Sequence, residues 1–245
     1  MSTNSLERAL RIIDLVAATP GGLTLSTITR RLQIPLSSSH YVLSRLERHG
    51  YLSRHKDTRC YETGIKLVAV AHAPLRDMRL RGTAESVLHC LAEETKLGAF
   101  VGVLAGSAVM IVARVERPGL LAMDMEIGVR YPAHRTALGK VLLGSLSDEE
   151  VLALYGVARK KRLTGPVARL ITELNAVRRR GYGTNEEELF PGIRAVAAPV
   201  VGKSGDTMCA VSATGPNCRV DDHRIINAVK AAGRQIGQGS RAGRQ

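Results

Sequence analysis

Helical and extended periodicities alternate along this 245-residue chain in an order that predicts an α/β (α+β) protein. A winged helix-turn-helix is expected first, then a linker helix, then a larger domain on a largely antiparallel sheet. Three observations carry that expectation. Leu23 to Gly50 holds two apolar helical stripes on either side of a turn at Gln33, Ile34 and Pro35. Two short extended segments then flank a polar tip. From Thr83 onward, β-branched runs alternate with amphipathic ones, with one hairpin near each end.

From Ser5 to Ala18, Leu6, Leu10, Ile13 and Ala17 recur at helical spacing, Ser5 is placed to cap, and Pro20, Gly21 and Gly22 end the helix. The first helix of the following pair presents Leu25, Ile28 and Leu32 on one face; the second presents Val42, Leu43 and Leu46. Pro35 closes the first, because a residue before proline is pushed out of the helical region, and Ser37 is placed to cap the second. That second helix opens with Ser37, Ser38, Ser39, His40 and Tyr41, followed by Arg45. These are hydrogen-bonding side chains on turns that, in such motifs, enter the major groove of DNA. Tyr51 to Arg54 and Arg59 to Glu62 read as a wing, with Arg54, Lys56 and Arg59 placed to meet phosphates.

The domain expectation is 1–63 for the winged unit, 64–82 for the linker helix, 83–236 for the larger domain and 237–245 for a disordered basic tail. The linker carries Ile65, Val68, Ala71, Leu75 and Met78 on a stripe kinked by Pro74. A helix over Thr83 to Lys96 precedes strands at Ala99 to Leu104, Val109 to Val115 and Leu120 to Ile127. Thr136 to Leu146 is helical again. Ser147 and Glu150 make a capping box for the next helix, and Pro166 to Arg180 ends on basic residues and Gly181. Two strands, Arg194 to Val201 and Thr207 to Thr214, precede a last helix that starts at Asp221 or Asp222.

The formal charge of +13 and pI near 10.1 favour an anionic partner, though charge alone says nothing of sequence preference. With no Trp and two Phe, the chain lacks the stacking platforms of single-strand binders. No run of 18 apolar residues occurs and MSTNSLERALR lacks a signal-peptide core, so a cytoplasmic protein with no membrane partner is expected. The four cysteines show no metal-ligand spacing, and no cofactor is expected. Gly139-Lys140 is not a phosphate loop, since His134 stands where the loop's first Gly belongs, and Gly181 and Gly183 lack the third glycine of a dinucleotide fingerprint. Glu186 to Glu188 reads as a solvated loop or Arg partners. His40, His134 and His223 complete no ordered nucleophile, base and acid, so the chain is not expected to be an enzyme.

Five blocks stand in order: SLERALRIIDLVA, GGLTLSTITRRLQIP with SSSHYVLSRLERHGYL, PAHRTALGKVLL, RRGYGTNEEELFPGIRAVAAPV and AVSATGP. Together they make the chain, from about Ser5 to Ile236, resemble the IclR-type bacterial transcription regulators. The resemblance implies a GAF-like effector-binding domain behind the winged unit and a homodimer or homotetramer. The implied function is a regulator, such as a repressor, of a metabolic or catabolic operon, binding a (pseudo)palindromic double-stranded DNA operator under control of a small organic acid. It also implies an effector pocket with His134, Thr136, Ala137 and Leu138 on one wall and Asn185, Ala195, Ser212 and Thr214 opposite. Members of the family often carry a basic residue after the turn proline, where this chain has Leu36. Asn185 stands where an Asp is frequent and Ala195 where a Cys often sits. Two other readings compete with this one: a small-molecule enzyme retaining the helix-turn-helix as a scaffold, and a nonspecific basic nucleic-acid-binding protein.

Overall fold

The computed structural model describes residues 4–70, 80–116, 125–157, 165–216 and 218–239, for residues 80–83 the backbone alone. It divides into two compact units, Met1–Asp77 and Met78–Gln245.

In the first unit, α1 (Ser5–Ala17), α2 (Leu25–Leu32) and α3 (Leu36–Arg48) enclose a small core with the strands β1 (Leu52–Arg54) and β2 (Tyr61–Thr63). Residues 65–70 (α4) are helical. Ile12, Val16, Ile28, Ile34, Val42, Leu43, Leu52 and Tyr61 fill the core. β1 and β2 pair antiparallel, and a bridge from Leu23 to Tyr61 adds a third edge, which completes the wing. Between α2 and α3, Gln33 takes the left-handed conformation at φ 53°, turning the chain within three residues.

Three local expectations fail here. The cap of α1 is Asn4, whose side chain accepts from Leu6 N–H, and the helix is apolar on two sides. Ile12 and Val16 face inward, while Leu6 is 65% and Leu10 54% exposed. Likewise α3 starts at Leu36 behind Pro35 without a side-chain cap, so Ser37 lies inside the first turn rather than capping it.

The second unit is built on a six-stranded sheet in the order β5-β4-β3-β8-β7-β6, every neighbouring pair antiparallel. The strands are β3 (Gly98–Ala105), β4 (Ala108–Val115), β5 (Arg130–Pro132), β6 (Gly183–Glu186), β7 (Arg194–Val201) and β8 (Thr207–Gly215). On one face pack α5 (Leu80–Thr95) and α9 (His223–Gly239) over Val101, Val196, Ala198, Val200, Cys209, Val211 and Ala213. Gly233 and Gly237 of α9 lie so near β7 that a Cβ would come within 2.6 Å of Pro199 O and 2.5 Å of Val201 O. The other face carries α6 (Ala137–Gly144) and α8 (Gly165–Arg180), with Leu138, Val141 and Leu142 against Phe100, Val109, Ile111, Ala197 and Ala210. The residues of β7 and β8 thus alternate between two cores, as a strand's period of two requires. Burial pushes the Cys209 and Cys218 thiols up to about 12, which keeps them protonated.

α7 (Asp148–Leu154) carries the expected capping box, and Gly181 ends α8 at φ 72°. β6 was not expected, the α9 helix runs through Gly237 to Gly239, and residues 125–127 are not a strand. Residues 120–124 of the expected third strand, the expected kink at Pro74 and residues 240–245 of the expected tail lie outside the described residues. Among the described residues no helix is long and apolar enough to cross a membrane.

Candidate nucleic-acid interface and small-molecule cleft

The residues of α3 sort by helical period. Ser39, Val42 and Leu43 are buried and Leu46 is partly so, on the face turned to α1 and α2. Ser37, Tyr41, Ser44 and Arg48, spaced four, three and four apart, form the opposite strip, with Ser37, Tyr41 and Arg48 exposed and Ser44 half-buried. His40 and Arg45 are exposed beside the strip and Ser38 is half-buried. The Arg45 guanidinium lies 5.2 Å from the Tyr41 ring centroid.

Ser39 corrects the sequence reading. It is fully buried with its hydroxyl unpaired, because position 39 shares a face with Val42, Leu43 and Leu46. Ser44 and Arg48 complete this strip and are not among the residues expected from the sequence, although continuing the helical count from Ser37 and Tyr41 reaches both.

In the wing, the His55 ring Nδ1 accepts from the N–H groups of Asp57 and Thr58, and Arg59 takes φ 58°, which holds the tip. Lys56 and Arg59 are exposed. Arg54 is half-buried, its Nε donating to Arg59 O at 3.4 Å and its guanidinium stacked 5.2 Å from the Tyr61 ring centroid. It braces the wing, leaving Lys56 and Arg59 as the more accessible charges.

The second unit holds a narrow cleft between α6 and the sheet, with about 340 Å³ of empty space that includes open solvent, of which about 20 Å³ is open to the centre of a water-sized sphere. Thr136, Ala137 and Leu138 line one side and Asn185, Ala195, Ser212 and Thr214 the other. Seven of the eight residues assigned to the pocket from the resemblance therefore meet around one space.

His134 is the exception. Consecutive residues of the single 3-10 turn Ala133–Arg135 project about 120° apart, so Arg135 reaches the cleft while His134 turns away. The His134 ring instead meets the Tyr155 hydroxyl at 3.2 Å. Burial, then the charge of Arg135, lowers its pKa. The residues missed are Met125, Arg135, Leu189, Phe190 and Ile193; Leu189, Phe190 and Ile193 come from the loop after the acidic run. An apolar cluster inside such a loop was the available signal.

Several groups arrange the cleft. Thr136 caps α6, its hydroxyl accepting from Gly139 N–H at 2.9 Å, and leaves the amides of Ala137 and Leu138 at the helix start. Gly139 is required there, since a Cβ would stand 2.2 Å from Ala133 O. The buried Ser212 and Thr214 hydroxyls lie 3.1 Å apart, and the Asn185 amide donates to Arg135 O. Lys140, on the far side of α6, is 1% exposed and meets Glu173 at 2.6 Å, Glu188 at 2.5 Å and Thr184 O at 3.2 Å. Among the described residues, no three His, Cys, Asp or Glu side chains converge to hold a metal.

Residues 5–56 match the IclR helix-turn-helix domain and residues 72–238 the bacterial transcriptional regulator IclR C-terminal domain. The chain is similar to the HTH-type transcriptional regulator BhcR of Paracoccus denitrificans, with 32% identity across 96% of this chain and 86% of that protein. To the HTH-type transcriptional regulator XynR of Escherichia coli it is 31% identical, across 91% of this chain and 90% of that one. The crystal structure of an IclR homologue complexed with 4-hydroxybenzoate from Microbacterium hydrocarbonoxydans shares the fold, at TM-score 0.83 and 21% identity over 98% of this chain and 100% of that chain. The chain therefore belongs to the IclR family of bacterial transcriptional regulators.

Proposed function

We propose that this regulator binds a (pseudo)palindromic operator through the strip Ser37, Tyr41, Ser44 and Arg48, flanked by Ser38, His40 and Arg45, and answers to a small monocarboxylate held in the cleft. The observation that carries the effector reading is the chemistry of the lining. Among the described residues that line the cleft, Arg135 is the one charged side chain, and the hydroxyls of Thr136, Ser212 and Thr214 and the first amides of α6 offer hydrogen bonds to a carboxylate. Met125, Leu189, Phe190, Ile193 and Ala195 leave the remaining surface apolar, which suits a branched or aromatic body. A second carboxylate would enter with no second cation to meet it, which disfavours diacids.

On the DNA side, the uncapped start of α3 leaves amides for a phosphate, Lys56 and Arg59 extend from the wing, and the α3 strip supplies base contacts. A homodimer or homotetramer would place two such helices on half-sites about one helical turn, or a multiple of it, apart. The effector regulates by binding one DNA-binding arrangement better than another.

A footprint upstream of the regulator's own gene, repeated with benzoate, 4-hydroxybenzoate and isovalerate, tests both halves. The expected result is a protected palindrome, with protection changed by at least one acid that is recovered unaltered. Tyr41→Ala and Arg48→Ala each weaken specific binding roughly tenfold, the size of one good contact. Equal affinity for random DNA, or turnover of the acid, would overturn the reading in favour of a nonspecific binder or an enzyme.

A further inference from the structure

Residues 187–193 join β6 to β7 and carry three of the cleft's apolar side chains, Leu189, Phe190 and Ile193. The segment is neither helix nor strand, and its backbone is tied at two points, Glu187 N–H donating to Ile193 O at 3.1 Å and Ile193 N–H to Phe190 O at 3.2 Å, which leaves Glu188 to Gly192 to be placed by side chains. It is pinned at both ends. Near its exit, the Glu187 carboxylate accepts from Gly192 N–H at 3.0 Å and from the Arg194 guanidinium at 2.8 and 3.1 Å, closing the loop on itself. Near its entry, Glu188 is held twice: its carbonyl accepts from Arg135 Nε at 2.6 Å and its carboxylate meets the Lys140 ammonium.

Lys140 sits in the middle of α6, where every residue from Ala137 to Leu143 is buried. An ammonium has three N–H donors, and here three acceptors surround it: Glu173 from α8, Glu188 from the loop and Thr184 O from β6. The two carboxylates are 37% exposed, so they can regain water; the ammonium cannot. The buried cation therefore pulls the loop toward α6, and Leu189 and Phe190 follow Glu188 directly in the chain. Phe190 then meets the Tyr131 ring edge-on at 6.2 Å between centroids.

We propose that Glu188 is a positioning residue for the cleft: fastened to Lys140, it holds the 187–193 strap so that the wall formed by Leu189 and Phe190 stands in place before a ligand arrives. This rests on the cleft being the effector site. Glu173 supplies the control, because it takes the same cation without belonging to the strap.

The test compares Glu188→Ala, the near-isosteric Glu188→Gln and Glu173→Ala in the full chain. Amide hydrogen exchange of the 187–193 segment is measured without ligand, and benzoate and isovalerate affinity by calorimetry. Glu188→Ala is expected to speed strap exchange and weaken binding of the acid by about tenfold each, since a wall that must be ordered on binding subtracts from affinity. Glu188→Gln recovers part of both, and Glu173→Ala leaves both within about twofold. Equal behaviour of the Glu188 and Glu173 variants, or unchanged strap exchange in both Glu188 variants, overturns the proposal. A wild-type chain that binds neither acid removes the effector reading instead, while the exchange comparison still decides whether Glu188 holds the strap.

Discussion

In the amino-terminal unit, apart from the core tyrosine Tyr61, the one buried polar side chain among the described residues is Ser39, and its hydroxyl has no partner. In the carboxy-terminal unit Thr136, Lys140, Asn185, Ser212 and Thr214 are all buried, and each has a hydrogen-bond or charge partner. The difference separates two ways of carrying function. A groove-reading helix keeps its polar groups outside and needs only an apolar back. A small-molecule cleft must bring polar groups inside, and they persist there only when satisfied.

The contrast can be broken by changing buried polarity on each side. The largest effect is expected for Lys140→Met, which strips Glu173 and Glu188 of their shared cation. Urea unfolding should show the second unit destabilised by about 3 kcal/mol, the lower end for breaking a buried pair because both carboxylates reach solvent. Ser39→Ala should act with the opposite sign, stabilising the first unit by about 1 kcal/mol, since it removes an unsatisfied hydroxyl and leaves a methyl against Val42 and Leu43. A destabilised Ser39→Ala protein would mean that the hydroxyl has a partner in solution.

The smallest effect concerns Glu187, whose carboxyl is held below its ordinary value of 4.5 by the Gly192 N–H and then by Arg194. A depressed carboxyl stabilises above its unfolded value and loses that contribution as pH falls through the folded one. The Gly192 amide chemical shift should therefore stay constant from about pH 7 to pH 5 and move only below the usual carboxylate range.

Much of the fold was legible because its signals are local. The Ser147 and Glu150 capping box, Gly181 after α8, the short turn between β3 and β4, where Gly106 takes φ 65°, and the proline between α2 and α3 each act within a few residues. β6 was not legible: Gly183 and Asn185 are its buried positions, and neither is a hydrophobic side chain that alternation would mark. It is an edge strand, paired only with β7, so its identity comes from the sheet and not from its own residues. The inward face of α1 was misread because both of its sides are apolar. Seven cleft residues followed from the PAHRTALGKVLL, RRGYGTNEEELFPGIRAVAAPV and AVSATGP blocks, whereas the strap residues depend on a loop pinned by Lys140. That lysine did leave a trace, since a cation inside a helix apolar all round implies acceptors brought from elsewhere in the chain.

The cleft is tested most directly by calorimetric titration of benzoate and isovalerate into the wild-type chain and a Ser212→Ala, Thr214→Ala double variant, with unfolding followed in parallel. Loss of the two hydroxyls should weaken the acid by roughly tenfold or more while the fold and operator affinity in the absence of acid are kept. Wild-type affinity for the acid in the double variant would contradict the assignment and place the effector elsewhere.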